Sequence, residues 1–139
     1  MRVPMIGGLV GCETALWLRQ QGKNVPIVES SKEILGGGKY MCFANYDMLK
    51  DLLVFNKVDV LRNSSVITVK ETSVVLKIPD GKRVIKADTV IVAAGYHSQH
   101  YLYDAMRDAG KITYNIGDSL TVSNIMNTIW DANQVARAL

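Results

Sequence analysis

The sequence predicts an α/β fold, a three-layer domain that combines a parallel sheet with an antiparallel β-meander. Three observations carry this. Residues 3–15, V-P-M-I-G-G-L-V-G-C-E-T-A, read as an apolar strand, a glycine-dense turn and a helix, and the next apolar run, V-P-I-V-E, ends in Glu29. From Val58 the pattern turns to short β-rich segments, with Asp80-Gly81 between two of them. Residues 87–94, A-D-T-V-I-V-A-A, are again a near-continuous apolar run, as expected of a strand covered on both faces.

Residues 2–6 form the first predicted strand and residues 9–21 the first helix, with Cys12, Ala15, Leu16 and Trp17 as its apolar positions. Gly22 ends that helix, because a glycine after the last periodic residue takes the left-handed cap. Residues 25–29 are then a strand parallel to the first. Pro4 and Pro26 fall inside these two runs, where proline has no N–H for the ladder.

Residues 30–44 contain Gly36, Gly37 and Gly38 and have no period, which predicts a loop. Asn45 is the expected cap of a helix over 45–56, with Tyr46, Leu49, Leu52 and Leu53 on its apolar side and Asp47, Lys50 and Asp51 facing water. Residues 58–61, 66–70, 74–78 and 83–86 read as an antiparallel meander. Asp80-Gly81 marks a hairpin, since glycine accepts the positive φ of a primed turn.

After Gly95 the chain becomes polar and mixed. A helix is expected over 101–109, then a short strand over 112–116 ending in Gly117-Asp118. Ser123 is the expected cap of a terminal helix whose stripe is Ile125, Ile129, Ala132, Ala136 and Leu139. The expected division is residues 1–95 and residues 96–139.

Composition bounds the function. At 139 residues, with 48% hydrophobic and 21% charged content, the chain is long enough to bury a core but short for a complete two-site enzyme. The net charge of +3 is spread over scattered basic residues without a run beside aromatic platforms, so neither nucleic acid nor membrane is an expected partner. No stretch approaches the ~18 apolar residues of a membrane span, and a cytoplasmic location is the expectation. Cys12 and Cys42 form neither a C-x-x-C pair nor a metal quartet. A first-turn position would permit Cys12 a low thiol pKa; a small apolar packing residue is the alternative.

The glycine turn carries the chemistry. A pyrophosphate is stabilised at a helix N-terminus by unpaired backbone N–H groups and the positive end of the macrodipole. In the fingerprint G-x-G-x-x-G, Gly8 takes the close-approach position and Gly11 the helix-packing position, but the first glycine is replaced by Ile6. Gly7 supplies the tight turn if the strand is one residue shorter; otherwise Ile6 must make it. Leu9 and Val10, between the glycines, and Ser30, after Glu29, belong to the candidate site by position.

Glu29 arrives about 20 residues after the turn, where a ribose hydroxyl needs an acceptor. Its charge would repel a 2′-phosphate and no arginine follows in Ser30-Ser31-Lys32, so NADH is favoured over NADPH. Glu13 is a candidate for the nicotinamide carboxamide from the buried side, or a first-turn acid that complements the helix dipole. His97 and His100 lack a third ligand-type partner and read as loop histidines.

Four ordered motifs extend the pattern: I-G-G-L-V-G-C-E-T-A-L-W-L, V-E-S-S-K-E-I-L-G-G-G, A-D-T-V-I-V-A-A-G-Y, and Y-N-I-G-D-S with N-I-M-N-T-I-W-D-A-N-Q-V-A-R-A-L. Over nearly the whole chain this resembles the C-terminal part of the NADH:flavin oxidoreductases, the multidomain family of 2,4-dienoyl-CoA reductase, 2-enoate reductase and trimethylamine dehydrogenase. The resemblance implies a Rossmann-like domain of the pyridine nucleotide-disulfide oxidoreductase type. It makes residues 1–95 the inserted NAD(P)H domain and residues 96–139 the returning end of an FAD domain. Gly95 would mark the crossing, Gly117 would precede Asp118, and Asp118 would hydrogen-bond the FAD ribityl chain. The partners implied are the N-terminal FAD segment and the FMN/iron-sulfur barrel of the same polypeptide, both absent here. His97-Ser98-Gln99 departs from the basic residue and proline that relatives carry after Gly-Tyr.

The leading expectation is thus an NADH-binding domain of a flavin-dependent oxidoreductase of the NADH oxidase or enoate reductase kind, binding without turnover as this isolated chain. A vestigial, non-catalytic nucleotide module is the alternative that Ile6 and Pro4 motivate. A methyltransferase using S-adenosylmethionine also has a glycine turn and an acid after its second strand, but gives no reason for the meander or for Gly117-Asp118.

Overall fold

The computed structural model describes residues 1–38 and 41–139; Lys39 and Tyr40, which fall in the segment read as a loop, lie outside the described residues. The chain divides into two compact units, Met1–Gly95 and Tyr96–Leu139.

In the first unit, β1 (Met5–Ile6), β2 (Ile27–Val28), β3 (Val60–Leu61) and β7 (Ile91–Val92) form a parallel sheet in the order β3-β2-β1-β7. Helices α1 (Gly8–Gln20) and α2 (Phe43–Phe55) form a second layer, and β4 (Ser65–Lys70), β5 (Ser73–Ile78) and β6 (Gly81–Lys86) form the antiparallel third. Strand alternation sorts the core into two. Met5 and Ile27 join Cys12, Ala15, Leu49 and Leu53 beside the helices, whereas Val28 joins Val74, Leu76 and Ile85 beside the meander. Burying each of the larger aliphatic chains contributes about 1.5–3 kcal/mol.

The predicted strands 2–6 and 25–29 shrink to two residues each, and the two prolines are the reason. The backbone stays extended, with Val3 N–H donating to the Asn24 carbonyl at 2.8 Å and Met5 N–H to the Pro26 carbonyl at 2.9 Å. Neither Pro4 nor Pro26 can return a bond, so regular pairing begins only at Met5↔Ile27. Both ring systems are fully buried, contributing packing in place of the lost donors.

Helix α1 ends as its sequence predicts. Gly22 N–H bonds the Arg19 carbonyl and Lys23 N–H the Leu18 carbonyl, the paired bonds of a Schellman cap. Its apolar face is narrower than expected: Cys12 and Ala15 are buried, but Trp17 is exposed. Helix α2 starts at Phe43 with Cys42 as its cap residue, so Asn45 lies inside the helix and caps nothing. Tyr46, Leu49 and Leu53 are buried as expected; Lys50 and Asp47 pair at 2.9 Å on the outer side.

Three further expectations are corrected. Residues 58–61 do not belong to the meander, because β3 pairs in parallel with β2; apolar β-rich residues do not reveal by pattern which sheet they join. The β5–β6 hairpin exists, but its central residues are Pro79 and Asp80, with Ile78 opposite Gly81. Proline holds φ near −65°, which rules out a primed turn there, and Gly81 takes its positive φ of 131° as the first residue of β6. The run 87–94 yields only the two-residue edge strand β7: Ile91 and Ala93 pack on the core beside the helices and Ala87 and Val90 on the core beside the meander, but Val92 is 68% exposed, so the cover is incomplete.

Within the predicted loop, Ile34–Gly38 is a 3-10 segment in which Leu35, Gly36 and Gly37 have positive φ. Ile34 and Leu35 are buried. Their burial supports a conformation that costs about 1–2 kcal/mol for a residue with a Cβ.

In the second unit, α3 (Tyr101–Asp108) and α4 (Ile125–Ala138) flank a 3-10 turn, Gly117–Ser119. Residues 112–116 pair with no strand among the described residues, so the predicted strand does not form. The cap of α4 is Asn124, not Ser123: the Asn124 side-chain oxygen accepts the Asn127 N–H at 3.0 Å. The apolar stripe of α4 is present but unburied, with Ile125 80% exposed.

Candidate functional site

The parallel strands end together at one rim. There, a cleft of about 320 Å³ is lined by Ile6, Gly7 and Gly8 after β1, Val28, Glu29 and Ser30 after β2, Ser64–Val66 after β3, and Ala94 and Gly95 after β7. Open α/β sheets bind ligands at this end of their strands.

The turn is built by Gly7 and Gly8. Strand β1 closes at Ile6, and Gly7 (φ 64°) and Gly8 (φ 71°) take the left-handed conformation that a Cβ disfavours. Ile6 therefore makes no turn. Its carbonyl accepts the Ala93 N–H at 2.9 Å, as an ordinary strand residue does. A methyl group at Gly8 would come within 2.8 Å of the Ala93 carbonyl oxygen. Gly11 meets the strands below, where a Cβ would lie 3.3 Å from Ala93 Cβ and Met5 Cγ.

Helix α1 has no side-chain cap and no acidic residue in its first turn. Gly7 N–H bonds the Val28 carbonyl at 3.2 Å, but the N–H groups of Gly8, Leu9 and Val10 have no partner among the described residues. The side chains of Leu9 and Val10 are exposed. Gly8 lines the cleft and Leu9 the hollow beside it, so an anion held at Gly8 would stand at the positive end of the helix.

Glu29 is fixed by the chain that follows it. Its Oε1 accepts the Ser31 N–H at 2.8 Å and the Ser30 hydroxyl at 3.3 Å, while Oε2 accepts no hydrogen bond among the described residues. A second hollow of about 250 Å³, lined by Gly8, Leu9, Glu29, Leu35, Gly36 and Met41, adjoins the cleft through Gly8 and Glu29. The carboxylate thus stands beside the glycine turn with one oxygen available to a hydroxyl donor.

Of the sequence candidates, Gly7, Gly8, Glu29, Ser30 and Gly95 line one cleft, while Gly11 packs α1 against Met5 and Ala93. Glu13 is not among them. With the helix starting at Gly8, Glu13 and Cys12 lie in the second turn, and Glu13 is exposed in a groove with Leu9, Trp17 and Met48. The buried-side and first-turn readings of Glu13 both fail. Cys12 is 1% exposed, and burial first, then the charges of Glu29 and Glu13, push its thiol up to about 11. A reactive thiolate is excluded by the same surroundings, leaving the apolar packing role. Both cysteines are free, and among the described residues no group of histidine, cysteine and carboxylate side chains could hold a metal.

Ser64, Ser65, Val66 and Ala94 also line the cleft, although no motif in the sequence marks them. Placing β3 in the parallel sheet is the signal that would have found the first three, since whatever follows a parallel strand reaches the same rim. Ser64 is held there by two bonds, its N–H to the Glu29 carbonyl at 2.9 Å and its hydroxyl to the Arg62 carbonyl at 2.8 Å.

Gly117 and Asp118 belong to the second unit. A methyl group on Gly117 would lie 2.8 Å from Thr128 Cγ2, so this glycine lets the turn pack on α4. Asp118 Oδ1 accepts the Ser123 N–H at 3.1 Å, and Asp118 lines a hollow of about 240 Å³ with Tyr96, His97, Gln99, Ser119 and Val122.

The chain is similar to several known proteins. Over 131 residues the chain is 47% identical to the cinnamate reductase of Clostridium sporogenes, covering 94% of this chain and 20% of that protein. It is 31% identical over 134 residues to the NADH oxidase of Thermoanaerobacter brockii, again covering 94% of this chain and 20% of the relative. Among solved structures, a 2-naphthoyl-CoA reductase in complex with 2-naphthoyl-CoA superposes with a TM-score of 0.77 at 26% identity, over 94% of this chain and 20% of that one. The chain spans about a fifth of the length of the curated relatives it matches. Residues 2–131 match the pyridine nucleotide-disulphide oxidoreductase family, and with the βαβ unit, the meander and the cleft already in place, the chain belongs to that family.

Proposed function

We propose that the cleft at the strand ends binds NADH and that the chain is the nucleotide-binding portion of a larger flavin-dependent oxidoreductase. The observation that carries the reading is the convergence of three features: the Gly7-Gly8 turn, the partnerless N–H groups of Gly8, Leu9 and Val10, and the unengaged Oε2 of Glu29. These residues fit the group. The space a Cβ at Gly8 would fill is already closed by Ala93 beneath, so bare backbone faces the cleft where a pyrophosphate needs close approach.

Each residue then has a task. Gly8, Leu9 and Val10 donate backbone N–H groups to the pyrophosphate, and Gly11 keeps α1 tight on the sheet so that those donors stay aimed. Glu29 accepts a ribose hydroxyl through Oε2, while Ser30 and Ser31 hold Oε1; its charge opposes a 2′-phosphate, favouring NADH over NADPH. Ser64–Val66 and Gly95 form the remaining walls. When bound, the nicotinamide supplies a hydride, and a flavin is its acceptor.

Residues 96–139 are proposed as the returning end of the FAD domain. The support is Asp118, which lines a hollow with Oδ2 free of hydrogen bonds among the described residues. The FAD N-terminal segment and the FMN and iron-sulfur barrel would then lie in the rest of the polypeptide, in keeping with the one-fifth coverage of the relatives. The substrate would be set there. The family match leaves the methyltransferase reading without support.

Titrating the chain with NADH while following nicotinamide fluorescence tests the proposal. Saturable binding that Gly8→Ala removes is the expected result; equal signals from both proteins would overturn it.

A further inference from the structure

The outer face of the meander carries charge of one sign. Register fixes its three cross-strand rows: Lys70, Ser73 and Lys86; Thr68, Val75 and Val84; and Ser65, Lys77 and Lys82. The alternate residues Val74, Leu76 and Ile85 are buried on the other side. The four lysines are exposed, and no carboxylate stands in any of the three rows. Lys77 and Lys82 are direct register partners, an arrangement of like charges that destabilises a sheet. The ion pairs among the described residues are Lys50–Asp47, Arg107–Asp104 and Arg107–Asp108, so none of these lysines is held in one, and the nearest acids in sequence, Glu71 and Asp80, stand in the connecting turns.

The uncharged middle row distinguishes this face from a merely solvated one. Val84 is 64% exposed and lies beside Val75, placing an apolar strip between two basic rows. That is the anatomy of a protein-docking surface, apolar at the centre and charged at the rim. Its size limits the kind of complex. Three strands about 4.8 Å apart and six residues long give a face of roughly 20 Å by 10–15 Å. A stable interface needs about 800 Å² per partner, so this one suits a brief encounter steered by charge.

Nucleic acid fits less well. The face presents no aromatic side chain for bases to stack on and no helix or ribbon to enter a groove.

We propose that this face docks an acidic protein transiently, with Lys70, Lys77, Lys82 and Lys86 meeting its carboxylates around the Val75–Val84 strip. The inference stands apart from the nucleotide reading, since it uses none of the groups assigned to NADH.

The probe is a short poly-L-glutamate peptide, titrated into the chain at low salt with duplex DNA in parallel. One variant combines Lys70→Gln, Lys77→Gln, Lys82→Gln and Lys86→Gln. A control removes the same charge elsewhere through Lys23→Gln, Lys57→Gln, Lys111→Gln and Arg137→Gln. The face variant is expected to lose about tenfold or more in peptide affinity and the control less than about twofold, with amide shifts confined to β4–β6 and fading as salt rises. Relief of the Lys77–Lys82 repulsion keeps the face variant folded, and the double variant Lys77→Gln/Lys82→Gln gives an intermediate loss. Equal losses in the two sets, tighter binding of DNA than of peptide, or perturbation by a second copy of the chain instead of the peptide would each overturn the proposal.

Discussion

Gly8 rests on the backbone of Ala93, so closely that a methyl group at position 8 would lie 2.8 Å from the Ala93 carbonyl oxygen. The contact ties the turn after β1 to the end of β7. It fixes where the first N–H groups of α1 point.

Gly8→Ala combines that clash with a backbone at φ 71°. The two costs add to about 2–4 kcal/mol. Urea denaturation reads the loss, and NADH affinity falls with it. Gly11→Ala provides the contrast. Its helical backbone accepts a Cβ, and contacts at 3.3 Å require only small shifts, so a loss of about 1 kcal/mol or less is expected.

Ile6→Gly leaves NADH affinity within about twofold, because Gly7 already makes the turn and Ile6 is an ordinary strand residue. It lowers stability by about 1 kcal/mol through backbone entropy alone, and by more where side-chain packing is lost. A large gain in affinity would show instead that the turn of the natural chain is crippled.

Glu29→Gln keeps the hydrogen-bonding shape near Ser31 but removes the charge. NADH is expected to bind about tenfold more weakly, a loss of about 1.4 kcal/mol, while NADPH loses less because repulsion of its 2′-phosphate is relieved. Parallel titrations with the two nucleotides check the ratio.

The Cys12 thiol is raised from 9.0 to about 11. Its neutral form is favoured in the folded state, so the unfolded chain releases the proton first as pH rises. The contribution is complete below about pH 9 and is lost progressively toward pH 11. Cys12→Ala removes that part of the pH dependence of unfolding. Iodoacetamide is expected to label exposed Cys42 in the native chain and to leave buried Cys12 unmodified, which mass spectrometry checks.

Asn124→Ala deletes the side-chain acceptor for the Asn127 N–H. A loss of about 1 kcal/mol in helix stability is expected, seen as fraying of the first turn of α4 in amide exchange. Ser123→Ala, by contrast, changes little.

Much of the fold was legible because local chemistry and tertiary structure agree. The turn at Gly7-Gly8, the Gly22 stop and the final acid Glu29 are short-range signals, and all three lie where the pattern places them. What failed depends on distant partners. Residues 58–61 pair with β2 rather than with the meander, and nothing in their own composition distinguishes the two. Leu35 takes a left-handed backbone because its side chain is drawn into the core, a cost no local propensity would accept. At the site, the glycines and Glu29 were readable from spacing, whereas Ser64 and Ser65 reach the cleft only through the β2–β3 pairing. Residue type alone points to Asn45 and Ser123 as caps, but Cys42 and Asn124 occupy the helix starts.

NADH is proposed to lie over the N-terminus of α1 with its ribose at Glu29. Amide chemical shifts of isotope-labelled chain during an NADH titration test that placement. The predicted result is saturable, one-to-one movement of the Gly8, Leu9, Val10 and Ser30 resonances, suppressed in Gly8→Ala. Unmoved resonances at millimolar NADH, or movement confined to residues far from the cleft, would contradict it.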